Sequence, residues 1–404
     1  MDRVIGALDA GSARLAGETA SLAASIGSQG VVFFEVGDFA RAQECFLQVL
    51  ALADSIGHGA YRCDALGYLG LILTSTGDLV GGMSKLNEAL AAARRIGDPH
   101  RELVQLGAVG HTYLQVANVD DAARTYVLAV QLAKRIGDRQ AEAGCLNNLG
   151  VIYHNISQPE AMLNTFAQVL QISEAVGDQQ LTFNALQYLA KGKLAQGDSR
   201  SAVEYARRAL DLMRTLGAWG ERGAMQDIFI SSLVREGRFQ EAVGEIQAEL
   251  GQSPLAVDRE RELVLLGQLV DVYYQQGDLA ASASTGERAL DLAVQFQRRL
   301  LEGRLAGRLG AIYADWGDLE TSKQFIARAI ELAESEQDLQ TLAEQYYMLA
   351  LNAQQSGQIQ DAADAGRRSL QVFSRIGCTA QVRQVQAFLG ELGSERGRQP
   401  DEAI

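Results

Sequence analysis

Glycine recurs in this chain with a period of 40 residues, and this spacing constrains the fold more than any other feature of the sequence. Fourteen of the nineteen positions reached from residue 17 to residue 377 in steps of 20 hold glycine, whereas 41 glycines among 404 residues would place about two there by chance. A period of this length indicates a chain built from structural repeats. The two series are Gly37, Gly77, Gly197, Gly237, Gly277, Gly317, Gly357 and Gly17, Gly57, Gly97, Gly137, Gly177, Gly217, Gly377.

The residues around these glycines predict helical hairpins. Glycine adopts the left-handed backbone that ends a helix, and an aspartate directly after it, as in Gly37-Asp38, can cap the next helix. Between the turns, apolar residues follow helical spacing, as at Leu90, Ala93 and Ile96. Only four prolines occur, and aromatic residues make up 6% of the chain, which also favours helix over sheet. Each 40-residue unit is therefore predicted to be a pair of antiparallel helices in an all-α fold.

A second set of positions resembles the tetratricopeptide repeat (TPR). Aligning Gly30, Gly70, Gly110, Gly150 and Gly310 defines a reference position in each first helix, and small and bulky residues recur at fixed distances from it. The repeats have 40 rather than 34 residues and lack the terminal proline, and are similar to those of kinesin light chains, spindle-orientation adaptors and bacterial peptide-sensing regulators. In the second helices the small residues are Ala42, Ala122, Ala202, Ala242 and Ala362, and the bulky ones are Phe46, Leu86, Tyr126 and Phe166.

The resemblance implies a right-handed superhelical solenoid of antiparallel helix pairs. Counting units predicts one solenoid over 1–393, with a half-repeat helix at 2–16, about nine repeats over 17–376 and a capping helix at 378–393. Residues 394–404 are expected to form a flexible tail. The stretch LGQSPLAVD is expected to end a helix early at Gly251, and helices are expected to be shortened or fused where glycine is missing, at Val257, Gln297 and Gln337. The 40-residue frame is expected to continue through these positions.

Composition excludes several classes of protein. The chain has 50 acidic and 36 basic residues and a net charge of -14, which argues against direct binding to nucleic acid or to an anionic membrane surface. The first residues lack the apolar stretch of a signal peptide, and no run reaches transmembrane length, so the chain is predicted to be cytoplasmic. Its cysteines are widely spaced and are expected to be reduced and mostly buried, as small apolar residues: Cys45, Cys63, Cys145 and Cys378.

Catalysis is not predicted. The chain has four histidines, and none belongs to a metalloprotease, nucleophile-elbow, P-loop or dinucleotide-binding motif. No metal or other cofactor is expected. The predicted function is a non-catalytic scaffold or adaptor for protein–protein interaction, which binds a partner peptide in a concave groove. The alternatives are a peptide- or ligand-sensing regulatory module and a structural scaffold that forms homo-oligomers through its outer or terminal helices.

The TPR geometry implies which residues face the groove: those six, three and two residues before the reference position, and one, four and five after it. The row three before contains Gly27, Gly67, Gly107, Gly267 and Gly307. Glycine within a helix costs about 1 kcal/mol relative to alanine, so these residues call for an explanation. The row is explained either by close approach of a bound chain or by tight packing between first helices.

Polar groove residues concentrate in the middle repeats. Asn147 and Asn148 in LNNLGVIY match the asparagines that hold peptide backbone in kinesin light-chain repeats, since an amide donates and accepts hydrogen bonds at once. The alternative is that these amides bond neighbouring helices or water. The candidate groove residues are His111, Asn147, Asn148, His154, Asn155, Gln187, Tyr188, Lys191, Asp227, Asp271, Tyr274, Arg304 and Arg308.

The predicted groove has a net charge of -2, from four basic and six acidic residues, and should be much less acidic than the outer face. Arg304 and Arg308 lie four residues apart on one helical face and can clasp a carboxylate or phosphate. Alternatively, Asp271 or Asp315 satisfies them. The residues in this sum are Lys191, Arg235, Arg304 and Arg308, and Glu35, Asp64, Asp227, Asp271, Asp315 and Glu344.

Overall fold

Helices and short turns make up the whole of the chain that the computed structural model describes, residues 2–216, 222–252 and 259–396. The all-α prediction is confirmed. The helices are α1 (Asp2–Glu35), α2 (Phe39–Ser55), α3 (Gly59–Ser75), α4 (Leu79–Ile96), α5 (Pro99–Gln115), α6 (Val119–Ile136), α7 (Arg139–Asn155), α8 (Pro159–Val176), α9 (Gln179–Ala195), α10 (Ser199–Leu216), α11 (Arg222–Arg235), α12 (Phe239–Gln252), α13 (Arg259–Gln276), α14 (Leu279–Gln295), α15 (Arg299–Trp316), α16 (Leu319–Glu336), α17 (Leu339–Gln355), α18 (Ile359–Arg375) and α19 (Thr379–Arg396).

Every turn of the described chain follows the predicted 20-residue frame. All residues with positive φ in the described ranges lie on it: twelve glycines together with Ala117, Ser157, Gln297 and Gln337. The turns at Gln297 and Gln337 form normally, with φ of 55° and 57°, so the missing glycines do not fuse the helices there. The frame positions 217 and 257 lie outside the described residues, and α12 ends at Gln252, one residue beyond the predicted Gly251.

One residue both closes a helix and starts the next. At the turn after α4, the Asp98 N–H donates to the Ala93 carbonyl at 3.2 Å, and the Gly97 N–H donates to the Arg94 carbonyl at 3.2 Å, which is a Schellman ending. The Asp98 carboxylate then accepts from the Arg101 N–H at 3.0 Å and caps α5. The turn after α7 keeps this backbone with Ser157 and Gln158 in place of Gly-Asp.

α1 differs from the prediction. It runs without interruption from Asp2 to Glu35, so the half-repeat helix expected at 2–16 and the first helix of the first repeat are one helix. Gly17 is not among the residues with positive φ. The residue after Gly17 is Glu18, which is not a favoured N-cap, and the Ser21 hydroxyl donates to the Gly17 carbonyl at 2.9 Å within the continuing helix.

Glycine at the reference position interlocks with a bulky residue sixteen positions later, on the second helix of the same hairpin. A Cβ atom added to Gly150 would lie 2.8 Å from the Phe166 ring, and one added to Gly310 would lie 2.6 Å from Ile326. Gly30, Gly70 and Gly110 meet Phe46, Leu86 and Tyr126 in the same way. The predicted interlocking of small and bulky residues is therefore confirmed for these hairpins.

The chain divides into two compact units, Met1–Ile228 (unit 1) and Phe229–Ile404 (unit 2), with the division inside α11. Within each unit, helices pack on their neighbours along the chain, and first helices also contact one another, as α3 contacts α5 and α15 contacts α17. The single solenoid over 1–393 stays a prediction. α19 extends to Arg396, three residues past the predicted capping helix, and the rest of the predicted tail lies outside the described residues.

Burial of the cysteines agrees with their expected role as small apolar residues. Cys63 and Cys145 are buried, and Cys45 and Cys378 are half-buried, all with free thiols. Burial raises the pKa of the Cys63 and Cys145 thiols to about 11. None of the described helices has the length and apolar content needed to cross a membrane.

Candidate functional site

The two asparagines of α7 have different environments. Asn148 is hydrogen-bonded to the hydroxyl of Tyr126, which is buried on α6; burial raises the pKa of that hydroxyl to about 12, and the Asn148 hydrogen bond opposes the rise. The Asn147 Oδ1 atom is buried and has no hydrogen-bond partner among the described residues. Asn148 therefore follows the alternative in which the amide bonds to a neighbouring helix. The Oδ1 acceptor of Asn147 has no partner in the described chain.

The Tyr188 ring packs between successive hairpins of unit 1. It stacks on Phe166, with centroids 4.4 Å apart, and meets His154 edge-on at 5.3 Å. The same arrangement recurs earlier in the chain, where Tyr68 stacks on Phe46 at 4.4 Å and meets Phe34 edge-on at 5.6 Å. His154 thus occupies a position that holds phenylalanine in the first repeat, and both of these candidate residues contribute to packing.

The other candidates of unit 1 are more open. His111 on α5 is exposed, and its Nε2 lies 3.4 Å from the amide nitrogen of Gln115. Lys191 and Asn155 are exposed, whereas Gln187 and Asp227 are half-buried. No group of three or more His, Cys, Asp or Glu side chains in the described ranges is arranged to hold a metal ion.

Unit 2 contains a cleft of about 1080 Å³, named here the unit 2 cleft. Its walls are the first helices α13, α15 and α17, with further residues from α18 and α19. Apolar side chains such as Val264, Leu301, Ile312, Met348 and Leu351 form much of the lining. Six glutamines also line the cleft: Gln268, Gln275, Gln340, Gln345, Gln381 and Gln384.

Cross-helix contacts hold the four candidate residues of unit 2. Arg308 Nη2 lies 2.8 Å from the Asp271 carboxylate, and Tyr274 donates a hydrogen bond to Asp315. This hydrogen bond, together with burial, raises the pKa of Tyr274 to about 12. Burial raises the pKa of Asp271 above its usual range, although Arg308 opposes the shift.

Arg304 and Arg308 do not act together as an open clasp. Arg304 Nε lies 3.1 Å from Asp338, the N-cap of α17, while Arg308 pairs with Asp271 on α13. The predicted alternative of Asp271 as a partner is confirmed for Arg308. The partner of Arg304 was not predicted, since Asp338 lies in a turn and not on the groove face of a helix.

The glycines of the row that faces the predicted groove have two kinds of surroundings: some pack tightly against a neighbouring first helix, and others face open space. A Cβ atom added to Gly67 would lie 2.7 Å from the Gln105 amide oxygen, and one added to Gly307 would lie 2.6 Å from Cδ of Gln345. These two glycines allow tight packing between adjacent first helices. At Gly107 and Gly267 an added Cβ meets nothing within 4 Å, so both positions face open space.

Sequence models of the tetratricopeptide-repeat family match residues 141–215 and residues 304–336. Both matched segments are tetratricopeptide repeats. Residues 141–215 lie within unit 1, and residues 304–336 contribute α15 and α16 of unit 2. Both units therefore contain a recognised TPR segment.

Solved structures share the fold. A signal-transduction ATPase with numerous domains (STAND) with a TPR sensor, from Pyrococcus horikoshii, has 14% identity and a TM-score of 0.55 over 86% of this chain. At this identity the likeness shows a common fold, and this chain covers 55% of that protein's length.

Two further solved structures have lower TM-scores. RapI in its apo form has 12% identity and a TM-score of 0.46 over 68% of this chain and 99% of its own. Kinesin light-chain TPR-like repeats from Podosopora anserina have 18% identity and a TM-score of 0.42 over 50% of this chain and 98% of their own. The search against curated proteins finds no significant match.

Several described residues of the unit 2 cleft lie outside the groove positions of the TPR register, and Gln345 is the one among them with an unsatisfied buried polar atom. It lies five residues before the reference position, which is outside the groove positions that the resemblance implies, yet it lines the cleft. The side chain is 7% exposed, and its Oε1 has no hydrogen-bond partner in the described chain. The signal in the sequence was the concentration of glutamine in the first helices of the later repeats, as in LQTLAEQYYMLALNAQQ.

Proposed function

We propose that this protein is a non-catalytic scaffold or adaptor that binds an extended segment of a partner protein in the unit 2 cleft. The observation that supports the proposal most directly is the lining of this cleft, in which six glutamine amides stand among apolar side chains. The arginines of the lining are paired within the protein, so the cleft does not demand an anionic ligand. In this proposal Asp271, Tyr274, Arg304 and Arg308 shape the site.

The chemistry of the lining suits an extended peptide. Such a peptide presents N–H and C=O groups along its length, and a glutamine amide donates to a carbonyl and accepts from an N–H. The buried Oε1 of Gln345 is an acceptor that an N–H donor of the ligand, or a water held with it, can satisfy after a small rotation of the amide. Apolar ligand side chains gain roughly 25 cal/mol for each Å² buried against residues such as Met348 and Leu351.

A second contact surface is proposed on α7 and α9 of unit 1. Asn147 has a buried acceptor without a partner in the described chain, and Gln187 and Lys191 lie on the next first helix at groove positions of the TPR register. Asn148 and Tyr188 support this surface by packing. In this proposal His111, His154, Asn155 and Asp227 extend it toward the neighbouring repeats.

Filling the unit 2 cleft, beside a matched substitution on α5 of unit 1, tests the proposal. Gly267→Trp places an indole in the unit 2 cleft, and Gly107→Trp is the matched control at the same repeat position of unit 1; neither added Cβ meets an atom within 4 Å. A random-peptide display library would be selected on the unmodified chain, and the enriched peptides retested on both variants. We expect Gly267→Trp to abolish binding and Gly107→Trp to retain it.

The opposite pattern would move the site to unit 1, and unchanged binding to both variants would contradict the groove proposal. Circular dichroism melting curves of the variants show whether each one is folded. The partner then follows from the selected sequences.

A ligand-sensing role is the second candidate, and cross-helix contacts of the cleft favour it. The Arg308–Asp271 pair and the Tyr274–Asp315 hydrogen bond link α13 to α15, and the Arg304–Asp338 pair links α15 to the start of α17. A ligand that competes for these groups would change the spacing of the helices. Small-angle scattering with and without a selected peptide tests this role, since a pure scaffold would keep its radius of gyration.

A further inference from the structure

The charged side chains that line the unit 2 cleft are paired inside the protein, with one exception. Arg308 pairs with Asp271 at 2.8 Å, and Arg304 pairs with Asp338 at 3.1 Å. Glu344 also lines the cleft, but its side chain accepts only the hydrogen bond from the Gln340 amide, one turn earlier on the same helix, within the described part of the chain. One carboxylate of the cleft therefore has no cationic partner there.

The position of Glu344 explains why its charge stays available. It lies six residues before the reference position of α17, and Arg304 lies at the same repeat position on α15, the adjacent first helix. Arg304 would be the nearest candidate in the register to neutralise it. Since Arg304 Nε pairs with the N-cap Asp338, the Glu344 carboxylate, which is exposed, remains open to a group that enters the cleft.

The surroundings of Glu344 define what kind of group fits. Tyr347, Met348 and Leu351 follow it three, four and seven residues later, so they share its face of α17, and all three line the cleft. A carboxylate beside half-buried apolar side chains matches the long aliphatic stem and terminal charge of lysine or arginine. It does not match an acidic side chain, which the Glu344 charge would repel.

We propose that the segment bound in the unit 2 cleft carries a lysine or arginine next to its apolar residues, and that this cation pairs with Glu344. The proposal rests on the proposed function, because it names the chemistry of the ligand of that same cleft. The net charge of -14 acts in the same direction, since a protein with an excess of acidic residues attracts a basic segment at long range.

Peptide selection on charge variants tests the proposal. A random-peptide display library would be selected in parallel on the full chain, on Glu344→Gln and on Glu344→Lys, with Glu331→Gln as the control. Glu331 is exposed on α16 and does not line the cleft, so its replacement changes the net charge by the same amount elsewhere. We expect lysine and arginine to be enriched in the pools from the unmodified chain and from Glu331→Gln. The enrichment should vanish with Glu344→Gln and turn toward aspartate and glutamate with Glu344→Lys.

Affinity measurements on one selected peptide sharpen the result. Because Glu344 is exposed, its replacement by glutamine should weaken binding of a lysine-containing peptide roughly twofold to fivefold at low salt, and the difference should shrink in about 0.5 M NaCl. Replacing the lysine of the peptide by glutamine should remove the difference between the two proteins. If Glu331→Gln weakened peptide binding as much as Glu344→Gln does, the effect would come from the net charge of the protein, and the proposal would be overturned.

The outcomes separate this inference from the proposed function. If the selected peptides show no preference for lysine or arginine, or if that preference survives in Glu344→Gln, the assignment of Glu344 is overturned. The cleft would remain the binding site in that case, provided that Gly267→Trp still abolishes binding of the selected peptides. If every selected peptide still binds to Gly267→Trp, the proposed function fails, and the inference about Glu344 fails with it.

Discussion

The first helices of the two units carry the same register but use it for different purposes. Two residues before the reference position, unit 1 has Asn148 and Tyr188, which hydrogen-bond and stack against second helices of the packed interior. At the same position unit 2 has Arg308 and Met348, which line an open cleft. A repeat position therefore fixes where a side chain starts, whereas its neighbours decide whether it stabilises the fold or remains available to a ligand.

The largest effect expected from this comparison concerns the ring stack of unit 1. Phe166→Ala removes a fully buried ring that stacks on Tyr188 and fills the space beside Gly150, so we expect it to lower the free energy of unfolding by about 3–5 kcal/mol. Tyr274→Phe in unit 2 removes only an exposed hydroxyl hydrogen bond and should cost under about 1 kcal/mol. Urea unfolding followed by circular dichroism measures both, and similar costs would mean that the two surfaces do not differ as described.

The next effect concerns the interlock between helices of one hairpin. Gly150→Val should lower the free energy of unfolding by about 1–3 kcal/mol, because its Cβ would lie 2.8 Å from the Phe166 ring. Unit 2 inverts the pair in α13 and α14, with Val270 at the reference position and Gly286 opposite it; a Cβ atom added to Gly286 would lie 3.7 Å from the valine methyl group. Adding Phe166→Leu to Gly150→Val should recover part of the loss, and strict additivity in the double-mutant cycle would argue against the interlock.

Glycines of the groove-facing row should respond to alanine with opposite signs. Gly267→Ala should raise the free energy of unfolding by about 1 kcal/mol, since alanine favours helix and its Cβ meets nothing within 4 Å. Gly307→Ala should lower it by about 1 kcal/mol, because the buried Gln345 amide must move away. Thermal melting of the two variants distinguishes these outcomes, and two changes of the same sign would contradict the split between packed and open positions.

A smaller effect is expected at the turns that lack glycine. Gln337 adopts φ of 57° at the end of α16, so Gln337→Gly should raise the free energy of unfolding by about 0.5–1 kcal/mol. Gly317→Gln, at φ of 88° one turn earlier in the frame, is the reciprocal variant and should lower stability. A neutral result at both positions would show that glycine is not what stabilises the frame.

The smallest effect concerns the pH dependence of unit 2. Burial raises the pKa of Asp271 in the folded chain, so this group favours the folded state below its unfolded pKa and loses that contribution as pH rises through the folded value. Asp271→Asn should therefore raise stability by a few tenths of a kcal/mol near pH 7, because water screens a side chain that is 39% exposed, and the gain should disappear near pH 3. A loss of stability at pH 7 would instead show that the pair with Arg308 outweighs the cost of burial.

The sequence predicted the frame of the fold because the frame is local. A left-handed residue followed directly by a capping residue specifies most turns, and the recurring glycines extend the frame across Gln297 and Gln337. The shortening or fusion of helices expected at these two positions was wrong, because both residues adopt the left-handed backbone of a glycine turn. The continuous α1 was missed because Gly17 alone does not specify a turn when Glu18 follows it.

The candidate site was predictable only as a set of positions. The register placed Asn148 and Tyr188 among groove residues, but their actual partners, Tyr126 and Phe166, belong to other helices, and no spacing rule states which side chain reaches them. The same holds for the pairing of Arg304 with Asp338. Gln345 was missed because it lies between the expected rows and enters the cleft only where Gly307 leaves room.

The turn at Asp98 also bears on how such a chain can change its length. Asp98 closes α4 and caps α5 with no spare residue between them, so the turn has no segment in which an insertion can be absorbed. One extra residue inside a helix would rotate everything after it by about 100° and turn buried faces outward. Growth is therefore possible only by whole helices or hairpins, and new binding chemistry has to enter by substitution within first helices of fixed length.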